Sequence, residues 1–308
     1  MNKISLAIHG GAGTILKSEM SDEMEQEYIS GLNQALSEGY NVLKTGGSAI
    51  EATQVAVCSL EDNALFNAGK GSVFSSEGTH LMDACIMEGK ALNAGAVCSV
   101  SNIKNPITLS RFVMEKSEHV MLSSKGAEEF ARLMKCETKP SDYFFDKLRF
   151  DQWNRIKGTD MFQLDHSVKK TDKFGTVGAV ALDKNGNLAA GTSTGGMTNK
   201  RFDRIGDSPI VGAGTYANNK TCAVSCTGSG EFFIRGVVAY DVSCLMEMKN
   251  YSLQEACEQV IYNRIKKIGG DGGLIAVDAK GNISMPFNTE GMYRASMNYK
   301  NEKVIEIY

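Results

Sequence analysis

Three threonines, Thr176, Thr192 and Thr194, fall at or near the ends of two apolar-rich runs in FGTVGAVALDKNGNLAAGTSTGG, residues 174–196. Threonine is a good strand former, and its hydroxyl readily caps loose backbone groups, so the stretch alone reads as structure. The same hydroxyls, set among glycines that leave the backbone bare, could also do nucleophilic chemistry if a base stood within reach. Other parts of the chain must decide between these readings.

Competing chemistries fail on spacing. FNAGKGS (66–72) lacks the first glycine of a Walker loop and has Gly71 where Ser or Thr should follow Lys70. GAGTYA (212–217) follows the loop-like GDSPIV, with no clear acidic partner about 20 residues on. A G-x-S-x-G elbow is absent, and TGSGE (227–231) holds its serine in a different frame. Neither Cys58 nor Cys226 carries a local cue for thiol catalysis, and the eight cysteines show no C-x-x-C pairing. His9, His80, His119 and His166 are scattered without metal-ligand spacing, so no zinc site is expected. A net charge of −3 gives no electrostatic footprint for nucleic acid or an anionic membrane, and neither partner is expected. The apolar run Ile4 to Ile8 is too short for a signal peptide or a span, which points to the cytoplasm. Hydroxyls near glycines remain.

The elements that must position them are legible from periodicity. Val177 to Leu182 and Leu188 to Gly191 flank Asn185-Gly186, a signal for a hairpin with a two-residue loop. Residues 4 to 8 read as a short buried strand ending at HGGAG. Met24, Tyr28, Leu32, Leu36 and Leu43 recur at helical spacing from Asp22 to Leu43, Gly46-Gly47 stops that helix, and Ser48 with Glu51 opens the next. Ser252 with Glu255 starts a helix toward Ile265, and LIAVDAKGNISMPF repeats the hairpin style. Strand pairs and helix pairs in both halves, without steady strand–helix alternation, predict an α+β fold in which helices cover the outer faces of sheets. Residues 137–175, polar and rich in lysine and aspartate, read for the most part as a mobile linker.

Seven stretches in order carry a resemblance: HGGAG (9–13), LFNAG (65–69), GTVGAVALD (175–183), TSTGG (192–196), RIGDSPIVGAG (204–214), CTGSGE (226–231) and FNTEGMYRA (287–295). Together they resemble the isoaspartyl peptidase/L-asparaginase family, the plant-type asparaginases among the N-terminal-nucleophile hydrolases. The likeness spans nearly the whole chain except the polar stretch before Thr176. It implies a single domain, residues 1–308, with a four-layer αββα sandwich. It also implies self-cleavage between Gly175 and Thr176 into an α subunit (1–175) and a β subunit (176–308).

A freed Thr176 would hold nucleophile and base in one residue, its α-amine accepting the proton of its own hydroxyl. The reference pKa of an α-amine is roughly 7.7–8.0, so a useful fraction is unprotonated near neutral pH without a histidine. The resemblance assigns the Thr227 hydroxyl and Gly228 amide to the oxyanion, Thr194 to tuning the Thr176 hydroxyl, and the Asn67 amide to orienting the new amine. Arg204 would take the substrate α-carboxylate, while Asp207 and the Gly230 carbonyl take its ammonium. The implied substrates are L-asparagine and β-aspartyl dipeptides, hydrolysed to aspartate through a β-aspartyl-Thr176 ester.

The chemistry would need no cofactor. By the same resemblance, backbone carbonyls of Leu60, Glu61, Asn63, Phe66, Ala68 and Lys70 would hold a structural sodium ion, and two αβ protomers would form a homodimer. The chain departs from the family pattern at Asp203, where glycine commonly precedes the arginine, and at Lys70 and Ser229. Asp203 could compete for Arg204 or point to solvent. The alternatives are an uncleaved, non-catalytic protein that binds aspartate-like ligands, and a glycosylasparaginase, whose targeting segments and disulfides the sequence lacks.

Overall fold

Helix α1 (Asp22–Lys44) begins where the Ser21 hydroxyl accepts from Met24 N at 3.2 Å, with Asp22, Glu23 and Glu25 in its first turn. Carboxylates there face the positive end of the helix dipole. The buried Tyr28, Leu32, Ala35, Leu36 and Leu43 keep to one face of it. The chain turns at Gly46, φ 94°, into α2 (Ala49–Glu61), which opens on the Ser48–Glu51 capping box that the sequence predicts. The computed structural model that shows these elements describes residues 3–159 and 175–308.

The first strands in chain order are β1 (Ser5–Gly13), β2 (Met82–Glu88), β3 (Ala94–Val100), β4 (Met121–Ser123), β5 (Val177–Leu182) and β6 (Leu188–Thr194). The rest are β7 (Thr215–Ala217), β8 (Cys222–Gly228), β9 (Gly272–Asp278), β10 (Ile283–Ser284), β11 (Gly291–Asn298) and β12 (Lys303–Glu306). They form an eight-stranded sheet, β12-β11-β1-β5-β6-β2-β3-β4, and a four-stranded one, β10-β9-β8-β7. Between them run α3 (Pro106–Lys116), α4 (Ser124–Leu133), α5 (Lys147–Ile156), α6 (Gly230–Gly236), α7 (Val238–Lys249) and α8 (Leu253–Glu258). The fold is α+β, and no described helix is long and apolar enough to cross a membrane.

Central strands of the larger sheet are buried on both faces, and alternation sorts their side chains. Leu6 and Ile8 of β1, with Val177, Ala179 and Ala181 of β5, join the core shared with α1 and α2. Ala7, Val180, Leu182, Leu188 and Ala190 point the other way, into a second core with β8 and β9 and with Val242, Ala256 and Ile261 of the helices beyond them. Strands β5 and β6 are therefore packed between a helical layer and the second sheet, which fixes their ends firmly.

Several expectations are refined. The first strand does not stop at the glycines: β1 continues through a bulge between His9 and Gly11 and stays paired with β11 to Gly13. The β5–β6 strands keep their expected starts and β6 runs on to Thr194, but the connection is five residues long, 183–187. Asp183 Oδ1 accepts from Asn185 N and Asn187 N at 2.9 and 3.0 Å, closing a side-chain-nucleated turn. Asp278 does the same for Lys280 N and Asn282 N, so the second hairpin does repeat the style of the first. Beyond α8 the predicted helix reaches Ile265 as a π-helix, Gln259–Ile265.

The linker reading of 137–175 is corrected where the chain is described. Residues Ser141–Phe144 form a 3₁₀ turn, and α5 follows, capped by Asp146 Oδ1 accepting from Arg149 N at 3.0 Å. Phe144, Gln152 and Arg149 are buried, and Phe145, Phe150 and Trp153 pack round Phe74. Polar composition concealed this packing because the buried face includes the Arg149 guanidinium, which donates to two backbone carbonyls. Residues 160–174 lie outside the described residues.

Candidate active site

Thr176 directly precedes β5, and pairing of Val177 with Ser193 sets it opposite Thr194, the last residue of β6. Its hydroxyl donates to Thr194 Oγ1 at 3.3 Å and lies 3.4 Å from Ser208 Oγ. Thr194 Oγ1 also accepts from Gly196 N at 3.0 Å, which fixes that oxygen. Thr176 is 9% exposed. Gly175 rests against the β1 bulge: a Cβ on Gly11 would lie 2.4 Å from Gly175 Cα. The bond expected to break is thus held backbone to backbone.

Thr192 belongs to a different group of hydroxyls. It shares a 2.7 Å hydrogen bond with Ser225 Oγ and accepts from Thr215 Oγ1 at 2.6 Å, while Ser225 Oγ also meets His9 Nε2 at 2.9 Å. This buried network lies beneath β5 and explains one small residue in the hairpin, since a Cβ on Gly178 would sit 2.0 Å from Ser225 Oγ. Complete burial pushes the His9 imidazole down to about 3, against the pull of the Thr176 backbone, so the ring is neutral. His9 stands inside HGGAG with no role legible from sequence, because its side-chain partner Ser225 is 216 positions away.

Thr227, the penultimate residue of β8 on the other sheet, is fully buried, and its Oγ1 accepts from Ala12 N at 3.2 Å. That contact joins the two sheets beside Gly175. Gly228, the last residue of β8, and Gly230, the first of α6, follow it, and Ser229 between them bonds Asp271 through both its backbone and its hydroxyl. The neighbouring Cys226 is no rival nucleophile, because burial holds its thiol well above the ordinary range.

Asn67 staples its loop to the segment after Thr194. Its Nδ2 donates to Gly196 O at 2.7 Å, its Oδ1 accepts from Val73 N at 3.1 Å, and its carbonyl accepts from Gly195 N at 3.0 Å. The amide expected to orient the Thr176 amine is engaged with backbone in this uncut chain. Glu61 braces the same region: its Oε1 accepts from Ser193 Oγ at 2.6 Å and Ile107 N at 3.0 Å. Burial pushes the Glu61 carboxyl up to about 8 against those hydrogen bonds.

Around Asn67 the backbone is crowded with oxygens. A Cβ on Gly69 would meet Glu61 O at 2.4 Å, and one on Gly71 would meet Phe66 O at 2.1 Å. The carbonyls of Asn63, Phe66 and Ala68 each accept a backbone hydrogen bond from the loop itself, and a carbonyl oxygen has two lone pairs; Leu60 O accepts from both Asp62 N and Asn63 N. Neutral oxygens of this kind, with those of Glu61 and Lys70, fit a hard monovalent cation in chemical type. Arg149 grips the loop from outside, donating to Gly71 O at 3.0 Å and Leu65 O at 3.2 Å.

Arg204 and Asp207 are not the simple i, i+3 ion pair that their spacing allows. Arg204 donates through Nε and Nη2 to both oxygens of Glu231, each at 2.8 Å, while Asp203 is exposed. Asp207 is buried, and its Oδ2 has no hydrogen-bond partner among the described residues. Burial pushes its carboxyl up to about 7, with the charge of Arg204 pulling the other way. Its chain neighbour Ser208 touches Thr176, so the unfilled acceptor belongs to the residue next in the chain to one that contacts the candidate nucleophile. Glu231 was missed as a site residue because its arginine is 27 positions away.

The family model described as asparaginase matches residues 2–307, and the chain belongs to that family. It is 51% identical over 298 residues to an isoaspartyl peptidase of Salmonella typhimurium, covering 96% of this chain and 95% of the relative. A putative isoaspartyl peptidase/L-asparaginase of Dictyostelium discoideum is 47% identical over 96% of this chain and 93% of its own length. A plant-type L-asparaginase of Thermococcus kodakarensis is 41% identical, with 95% and 96% covered.

Proposed function

We propose that the chain is an amidohydrolase that cleaves β-aspartyl dipeptides and the side-chain amide of L-asparagine after cutting itself between Gly175 and Thr176. The observation that carries the reading is the buried Thr176 hydroxyl, hydrogen-bonded to Thr194 and Ser208 at the head of β5, with Asp207 next in the chain to Ser208. The names of the family relatives support the substrate class.

After scission the α-amine of Thr176 takes the proton of its own hydroxyl as the oxygen attacks the substrate β-carbonyl. The oxyanion is met by the Thr227 hydroxyl and Gly228 amide. Collapse expels ammonia or the dipeptide's amine, which leaves with the proton held by the Thr176 amine. Water then opens the β-aspartyl ester, releasing aspartate and restoring the hydroxyl. Arg204 takes the substrate carboxylate, and Asp207 with the Gly230 carbonyl takes its ammonium. The Asn67 amide, bonded to Gly196 O and Val73 N in the uncut chain, would then orient the new amine.

Two cores on either side of the larger sheet support a four-layer αββα sandwich of the N-terminal-nucleophile type, in one domain of two processed subunits. The proposal includes a homodimer of αβ protomers in the cytoplasm. It also includes a sodium ion on the carbonyls of Leu60, Glu61, Asn63, Phe66, Ala68 and Lys70. Such an ion would stiffen the Asn67 loop and supply no electrophile. The test is Thr176→Ala beside the native protein on a denaturing gel. The native chain should give two fragments, one beginning TVGAV, and release ammonia from asparagine. The variant should stay whole and release none, and turnover by it would overturn the reading.

A further inference from the structure

One edge of the Arg204 guanidinium is already taken. Side-on bidentate pairing through Nε and Nη2 fixes both the plane and the direction of an arginine. Arg204 itself lies in a stretch without helix or strand, just after Phe202 and Asp203, whose φ angles are 55° and 52°. Glu231 instead stands in the first turn of α6, on the turn that Asp271 ties down and that carries Gly228. The carboxylate therefore anchors the guanidinium to the same turn that presents the candidate oxyanion donors.

A guanidinium has five N–H groups, so this pairing leaves the end-on edge, Nη1–H and the second Nη2–H, unused by Glu231. Two glycines lie against that edge: a Cβ on Gly206 would be 2.8 Å from Nη1, and one on Gly230 would be 2.7 Å from Nη2. The Cβ on Gly230 would also be 3.0 Å from Asp207 Oδ1. The open edge and the unfilled carboxylate thus share one glycine-walled space, as an α-carboxylate and an α-ammonium on one carbon require.

We infer that Glu231 is a positioning residue for substrate recognition: it holds Arg204 side-on so that the end-on edge meets the substrate α-carboxylate beside Asp207. This deepens the proposed hydrolase reading and rests on it. Charge and geometry make opposite demands. A bare count of charges says that deleting Glu231 strengthens the attraction for a carboxylate and lowers KM. Geometry says that a guanidinium without its anchor loses direction and KM rises. Bidentate alignment at short distance gives geometry the larger effect.

The experiment is steady-state kinetics on β-aspartyl-leucine and L-asparagine with Glu231→Ala, Glu231→Gln, Arg204→Ala and the double variant Arg204→Ala/Glu231→Ala. A denaturing gel first confirms that each is processed, and Glu231→Gln serves if the alanine variant does not mature. Glu231→Ala should raise KM roughly tenfold on both substrates, with a smaller change in kcat. Glu231→Gln, which keeps one acceptor, should fall between it and the native enzyme. Adding Glu231→Ala to Arg204→Ala should change kcat/KM little, since the residue acts through the arginine. An unchanged or lower KM, a loss confined to kcat, or additive losses in the double variant would overturn the inference. A native protein that neither matures nor turns over substrate would instead sink the hydrolase reading.

Discussion

The hydroxyls of Thr176 and Thr194 meet at 3.3 Å across the open end of the β5–β6 hairpin, one just before the first strand and one closing the second. Register sets this meeting, because a slip of one residue would turn one of the two to the opposite face. Thr194 Oγ1 is itself held by Gly196 N, so the acceptor has one orientation to offer. Thr194→Val keeps the shape and removes the oxygen. It should slow both maturation and turnover by about 10²-fold, the lower range for a positioned proton-handling group, whereas Thr194→Ser should retain most of both. A gel time course and ammonia release check the pair of outcomes.

Gly11 and Gly175 touch backbone to backbone, and Gly11 holds φ 112°. A methyl at Gly11 has no room beside the bond expected to break, and its backbone angle disfavours any side chain. Gly11→Ala should therefore leave a folded chain that accumulates uncut. Circular dichroism like that of the native chain, together with a persistent full-length band, is the expected result.

How far these elements were legible follows from where their determinants lie in the chain. Local signals were read well: both capping boxes, the helix from Asp22 and the starts of β5 and β6 all depend on residues within a few positions of each other, and the α+β class follows from the pattern of such elements. Long-range pairs were not. His9 with Ser225, Ala12 N with Thr227, and Arg204 with Glu231 each join distant segments, and no periodicity announces them. The segment with α5 was hidden for another reason. Arg149, 1% exposed, bonds two carbonyls of the Asn67 loop, so a buried face was written in polar residues. The resemblance assigned Thr176, Thr194, Thr227, Arg204 and Asp207 to one site and left Thr192 without a role; the geometry puts Thr192 in the buried network with Ser225 and Thr215.

Thr227 has two duties in the uncut chain and the proposed enzyme, and one substitution separates them. Its oxygen accepts from Ala12 N, so Thr227→Val leaves a buried donor unpaired and should cost about 1–3 kcal/mol of stability. Its hydroxyl is also the proposed oxyanion donor, whose loss costs roughly 10²–10³ in kcat. Both effects should appear together, in thermal unfolding and in kinetics. A stability loss with native kcat would remove Thr227 from the oxyanion site.

Asp207 makes the pH dependence informative. Its carboxyl is pushed up to about 7 by burial, against Arg204 and with a smaller push from Glu231, and Cys226 is also close by. Below that pH the group is protonated and carries no charge for the substrate ammonium, so binding weakens as pH falls through about 7. The Thr176 amine, with a reference value of roughly 7.7–8.0, must also be unprotonated to act, so it too loses activity on the acid side. Because kcat/KM reports the free enzyme, its acid limb should carry both ionisations, with a logarithmic slope approaching about two. In kcat the bound ammonium keeps Asp207 ionised, leaving a slope of about one. Asp207→Asn should raise KM at every pH and reduce the kcat/KM limb to the single slope of the amine. If that variant kept the steeper limb, the second ionisation would belong to another group.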